Sequence, residues 1–266
     1  TINRPDVMVK GTVANSTGNE TGVTINGIVA SVYGNQFIAN HVPLSEGSNT
    51  ITANATDTAG NTATTSIVVN AVTTTPHITL NANITSGIAP LTTYFSVSTS
   101  IPNAVSTYQM DYEGDGIIDY SGATFENISH TYTTEGIYYP TVFVTDTQGI
   151  QYSDTIAIVV LNATQLDALL RAKWEGMKTA LGTGDINGAV VNFALDTQVT
   201  YRDQFTALSP ILQDIVNELN TTTLNMVSIE NKIAEYEILV VREGTSFSLH
   251  LKFILDDNGI WRIWAF

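Results

Sequence analysis

The sequence predicts three domains in a row, two all-β sandwiches in tandem and then an α+β domain. Three observations carry that prediction. Through residue 161, apolar and polar residues alternate in short runs separated by turn pairs, with no helical period. From residue 163 the spacing changes to that of amphipathic helices, and after residue 221 alternation returns. A chain of 266 residues with 43% hydrophobic residues can also build a core in each part.

Residues 1–72 read as short strands. "VTINGIVASVYGNQFIANHVPL" alternates and turns at Asn26-Gly27 and Gly34-Asn35. "NTITANATDTAGNTATTSIVVN" turns at Ala59-Gly60-Asn61. This pattern resembles a bacterial immunoglobulin-like repeat, which implies a β-sandwich and says little about function. Residues 73–76, within "VTTTPHI", are expected to be a short, stiff linker, because Thr-Thr-Pro disfavours helix.

Residues 77–161 are predicted all-β as well. "APLTTYFSVSTS" and "STYQMDYEGDG" read as strands, and a further strand is expected from Tyr138 to Thr145 after a turn at Glu135-Gly136. The stretches "APLTTYFSVS", "YQMDYEGDGIIDY" and "SHTYTTEGIYYPTVFVTDTQG" resemble a PKD domain. Met110 stands where that family usually has a core Trp, and Met can fill irregular core space.

Residues 163–266 begin with a helix, since Leu166, Leu169, Leu170, Trp174, Met177 and Leu181 recur at helical spacing. Gly182 and Gly184 stop it, and Asp185 is placed to cap "INGAVVNFA". A third helix over "YRDQFTALSPILQDIVNELN" would bury Tyr201, Phe205, Leu208, Leu212, Ile215 and Leu219 and break at Pro210. Four strands follow, with turns at Glu243-Gly244 and Asp257-Asn258-Gly259. "ALGTGDINGAVVNFA" and the closing "DDNGIWRIWAF" resemble the nuclear transport factor 2-like superfamily, which includes SnoaL-like enzymes. That resemblance implies a cone of curved antiparallel sheet around helices, with a ligand pocket in which Trp174, Asp196, Tyr201 and Asp203 are the candidates. His250 alternates against Phe247, Leu249, Leu251 and Phe253, so it is expected on the outer side of its strand, away from any pocket.

Charge narrows the function classes. The net charge is −15 with only ten Lys and Arg, which argues against nucleic-acid binding. Residues 77–161 contain eight acidic residues and no Lys or Arg, so their field attracts cations. No apolar run approaches membrane-spanning length. The opening "TINRPDVMVKGTV" reads as folded material, so any export signal is expected outside this chain. Cysteine is absent, which removes disulfides and thiolate chemistry. No catalytic serine triad order, phosphate loop or zinc-protease motif occurs.

The chemical motif that remains is "QMDYEGDGIIDY". Asp111, Glu113, Asp115 and Asp119 alternate around Gly114 and Gly116, as carboxylates for calcium do. Gly122 occupies the place of the closing Glu of an EF-hand, so this is not one. A weak calcium site and a solvated acidic turn are the two readings. Together these features point to a non-catalytic part of a secreted or cell-surface modular protein, prokaryotic by its resemblances. Its partners would be protein or carbohydrate at the cell surface, or a second copy of itself. The alternatives are a small-molecule enzyme or ligand carrier in the last domain, or an accessory region of a polysaccharide-degrading enzyme.

Overall fold

The computed structural model describes residues 1–16, 18–242 and 244–266. It is mostly β, with 51% strand against 17% helix and several sheets. The chain divides into two units, Thr1–Leu161 with Asp257–Gly259, and Asn162–Asp256 with Ile260–Phe266. Thr17 and Glu243, the latter in one predicted turn, lie outside the described residues.

The first unit opens with β1 (Asp6–Thr12), β2 (Thr21–Ile25), β3 (Ile28–Val29), β4 (Ser31–Tyr33), β5 (Gln36–Pro43), β6 (Gly47–Asp57) and β7 (Thr62–Ala71). They form two sheets, β1-β5-β4 and β3-β2-β6-β7. Local chemistry sets the first hairpin. Asn26 and Gly27 both have positive φ (48° and 84°), the backbone a two-residue hairpin turn requires. Both sheets contribute to one apolar cluster, with Val23 and Ile25 from β2, Ile51 from β6, and Phe37, Ala39 and Val42 from β5. Each large side chain buried there contributes about 2 kcal/mol.

The unit continues with β8 (His77–Ala82), β9 (Ser86–Ile88), β10 (Leu91–Ser100), β11 (Val105–Asp111), β12 (Tyr120–Gly122), β13 (Ile128–Tyr132), β14 (Gly136–Tyr138), β15 (Thr141–Asp146), β16 (Gln151–Thr155) and β17 (Ile158–Leu161). The sheets β13-β10-β8 and β12-β11-β15-β16 enclose a second cluster that includes Leu80, Phe95, Met110, Tyr132, Val142 and Val144. Met110 is fully buried in it.

The strand expected from Tyr138 to Thr145 is in fact two. β14 pairs with β17, whereas β15 pairs with β11 and β16. Pro140 separates them, because it has no N–H to give to a ladder. The chain changes sheet there.

The second unit contains α1 (Ala163–Gly182), α2 (Ile186–Val190), α3 (Gln198–Ala207), α4 (Leu212–Leu219) and strands β18 (Thr223–Glu230), β19 (Ile233–Arg242), β20 (Thr245–Leu255) and β21 (Trp261–Ala265). Asn162 caps α1 by accepting the Gln165 N–H at 2.8 Å, and Asp185 caps α2 by accepting the Gly188 N–H at 2.8 Å. Pro210 falls in a short 3-10 turn (Ser209–Ile211) between α3 and α4. The third helical face therefore differs from expectation, since Leu208 is exposed and Val216 is buried. β18 to β21 pair antiparallel in chain order.

His250 is exposed, but so are Phe247 (49%) and Leu249 (51%), which were expected on a buried face. The reason is pairing. β21 lies only against Lys252 to Leu255, so the earlier half of β20 has β19 as its neighbour and an open second edge. Only Leu251 and Phe253 of that face reach the core.

Candidate functional site

The acidic hairpin is built at the end of β11. Asp119 N–H donates to the Met110 carbonyl at 2.8 Å and closes the loop. Asp111 is 3% exposed and accepts three backbone N–H groups. Its Oδ1 takes those of Gly114 (2.6 Å) and Asp115 (3.3 Å), and its Oδ2 takes that of Gly116 (2.8 Å). The glycines permit this. Gly114 has φ +79°, and a Cβ on it would stand 2.6 Å from the Tyr139 carbonyl oxygen, so only glycine fits.

Asp119 Oδ2 accepts the Tyr112 N–H at 2.8 Å. Glu113 Oε1 lies 2.9 Å from His130 Nε2, and the His130 ring stacks on Tyr112 with centroids 4.7 Å apart. Carboxylate oxygens of Asp111, Glu113 and Asp119 come within 4.8 Å of one another. Asp115 does not join them, because it is exposed and its Oδ1 accepts the Ile117 N–H at 2.8 Å. The loop thus gathers three of the four predicted carboxylates. Burial raises the Glu113 carboxyl above its ordinary value; His130 offsets part of this, and the neighbouring Asp119 and Asp115 add to it. A cation would act in the opposite direction.

The pocket candidates of the second unit fall apart into two groups. Trp174 is 2% exposed, with its ring edge-on to Phe266 at 5.0 Å. Tyr201 packs on Phe193 (4.2 Å) and stacks on Phe266 at 5.5 Å with an 11° angle between rings. Phe193, Phe205 and Phe253 are buried as well, Phe193 lying 5.9 Å from Phe205 and Phe253 5.5 Å from Tyr236, centroid to centroid. Asp196 and Asp203 are exposed instead.

A polar cluster that sequence reasoning missed ties α1 to the sheet. Tyr236 Oη donates to Asp167 Oδ1 at 2.9 Å, Arg171 Nε donates to Asp167 Oδ2 at 2.8 Å, and Arg171 Nη2 donates to the Leu224 carbonyl at 2.7 Å. Burial and the adjacent Asp167 raise the Tyr236 phenol well above its ordinary value. Both carboxylate oxygens are engaged and Tyr236 is fully buried, so the cluster is a clasp. The i, i+4 spacing of Asp167 and Arg171 was its signal in the sequence.

A second missed cluster lies inside the first unit. Arg4 pairs with Asp154 and, at 2.8 Å, with Asp6. His41 Nδ1 lies 3.1 Å from Asp6 Oδ2 and its Nε2 lies 3.0 Å from the Leu80 carbonyl. Asn40 Nδ2 donates to the Ala157 carbonyl at 2.8 Å, while its Oδ1 accepts the Ala157 N–H at 2.8 Å. These contacts join β1 and β5 to β8 and the β16–β17 segment.

A family model described as "Glucodextranase, domain B" matches residues 1–73. Residues 1–73 are an immunoglobulin-like β-sandwich. No curated protein matches the chain. Among solved structures, the PKD domain of an M14-like peptidase from Thermoplasmatales archaeon SCGC AB-540-F20 is 20% identical; the overlap covers 33% of this chain and 96% of that one, with a TM-score of 0.27. SGBP-B from the mixed-linkage glucan utilization locus of Bacteroides ovatus, in complex with a mixed-linkage heptasaccharide, is 16% identical over 61% of this chain and 43% of that one, with a TM-score of 0.22. A 1.5-MDa bacterial ice-binding adhesin is 12% identical over 97% of this chain and 79% of that one, with a TM-score of 0.23. These overlaps are too loose to assign a function.

Proposed function

We propose that this chain is a non-catalytic portion of a secreted or cell-surface modular protein. Its immunoglobulin-like and PKD-like β modules space and orient the second unit. That unit, read as a nuclear transport factor 2-like cone, docks on protein or carbohydrate or on another copy. The observation that supports this most is the burial of the large aromatics of the second unit. Trp174, Phe193, Phe205 and Phe253 are buried, and Asp196 and Asp203 face solvent. Ligand sites are mostly concave, and an exposed aspartate gains little from desolvation.

The test is affinity electrophoresis and sedimentation velocity on the full chain, with soluble mixed-linkage and other β-glucans as probes. Retardation in the gel or reversible self-association is expected, with no reducing ends released. Release of products, or neither retardation nor association, would count against this reading.

The acidic hairpin supports a stabilising role for calcium. Asp111, Glu113 and Asp119 would supply hard oxygen donors, fewer than the six to eight calcium takes, so backbone carbonyls and water must complete the shell. Such a partial set fits a Kd of about 1 mM, the weak range of extracellular modules. At about 10 mM calcium this stabilises the fold by about 1.4 kcal/mol, a rise of a few degrees in melting temperature. Thermal melting with and without calcium checks it, and the Glu113→Gln variant should lose the rise. An unchanged melting temperature in the wild type would leave the loop as an acidic turn and nothing more.

A further inference from the structure

We infer that a bulge in β5 is the working part of a pH-gated latch between the two β-rich halves of the first unit. β1 and β5 pair with a register shift. Val7 faces Val42 and Val9 faces Ala39, so Asn40 and His41 together stand opposite Met8. His41 sits at φ +50°, which is uncommon for a side chain of its size. A bulge adds one residue, bends the strand and re-aims its side chains. Here it turns two consecutive side chains towards the second half. Asn40 meets Ala157 with a donor and an acceptor at once, as a neighbouring strand would.

His41 is the titrating part. Both of its ring nitrogens face acceptors, the Asp6 carboxylate and the Leu80 carbonyl. A neutral imidazole has one N–H and can satisfy only one of them; the imidazolium has two and satisfies both. The closed joint therefore selects the charged ring. The groups around it agree. The segment leading into β1 presents Arg4, β1 presents Asp6, β16 presents Asp154, and β8 presents a carbonyl and no charge. With His41 charged, two cations meet two carboxylates. With His41 neutral, one cation is left between two carboxylates.

The direction follows from linkage. The hydrogen bond that the His41 ring donates to Asp6 is the largest cause holding the His41 pKa above its ordinary value, against partial burial. A raised pKa means that the stabilisation is fully present below the unfolded value and is lost as pH rises through the folded one. Asp6 is shifted the other way. Burial pushes it up, but His41 and Arg4 outweigh that, so it stays ionised until well into acid. The latch is closed in mildly acidic solution and opens on the alkaline side of His41.

This adds regulation to the spacer reading, and its test reads the joint alone, so loss of glycan binding bears only on that reading. The chain has no cysteine. Spin labels at Thr65→Cys and Ser129→Cys, both exposed and one in each half, report the separation of the halves. At about pH 5.5 one narrow distance population is expected; at about pH 9 that population should be lost. His41→Asn, which tolerates positive φ but cannot carry charge, should lack it at both. Nitrogen NMR of the wild type should show both His41 nitrogens protonated at about pH 5.5, with a midpoint above the ordinary histidine value. A narrow population at both pH values, a wild-type response in His41→Asn, or a His41 midpoint at or below the ordinary value would each overturn the inference.

Discussion

Replacing Asp154 by alanine should lower the unfolding free energy of the first unit by about 3 kcal/mol, the low end of the cost of breaking a buried ion pair. Asp154 is 5% exposed. Its Oδ2 accepts the Leu80 N–H at 2.7 Å, and its Oδ1 accepts the Thr155 N–H at 2.9 Å and faces Arg4. Alanine would leave a buried backbone donor without its acceptor and a guanidinium with only Asp6 beside it. Asp6 keeps the loss from reaching the upper end. Urea unfolding, with midpoint and slope fitted separately, measures the effect. Pairing Asp154→Leu with Arg4→Met should recover part of it, because a dry pair of similar volume leaves no charge uncompensated. A loss below about 1 kcal/mol for the single variant would mean that the pair is screened like an ordinary surface bridge, and the joint would then not be a desolvated contact.

Much of the local structure was legible because its causes are local. The Asn26-Gly27 hairpin follows from two residues that accept positive φ, and the α2 cap follows from one aspartate before a helix. Gly114 and Gly116 were readable as turn residues for the same reason. The joint was not readable. Arg4 and Asp154 are 150 positions apart and Asn40 and Ala157 are 117 apart, and no period or spacing encodes such a meeting. The bulge that creates it hides inside an alternating run that reads as a plain strand.

A repeated turn was legible in its first copy, at Ala59-Gly60-Asn61, but not in its second or in the aspartate that opens each. Asp57 and Asp146 each precede a glycine by three residues, and each accepts the N–H groups two and four positions ahead. The Asn61 side chain, and the backbone N–H groups with it, hold the Asp57 carboxyl down to about 2. A pattern of Asp-x-x-Gly is short enough to dismiss as composition, and its meaning appears only when the backbone donors are counted. In the acidic hairpin the carboxylate spacing was legible, whereas the fate of each carboxylate was not. The turn conformation sends Asp115 to its own backbone and leaves the other three facing one another.

Trp174→Ala should destabilise the second unit by about 3–5 kcal/mol, the cost of removing a large aromatic from a packed core. The size of that loss separates the two readings of this unit. A tryptophan lining a hollow already gives part of its surface to water, and trimming it enlarges the hollow at little cost, about 1 kcal/mol or less. A tryptophan edge-on to Phe266 in a filled interior leaves a void that its neighbours cannot close without moving off their rotamers. Asp196→Ala and Asp203→Ala serve as the comparison. Both residues are exposed, and each change should stay within about 0.5 kcal/mol. Chemical denaturation of the three variants, with the tryptophan signal replaced by far-UV dichroism, gives the ordering directly. A small cost at Trp174 together with a gain in stability on removing either aspartate would point to strained ionisable groups around an open chamber, and the enzyme reading would then replace the docking one. A large cost at Trp174 with silent aspartates is the result that the docking reading expects, with recognition on the surface of the unit.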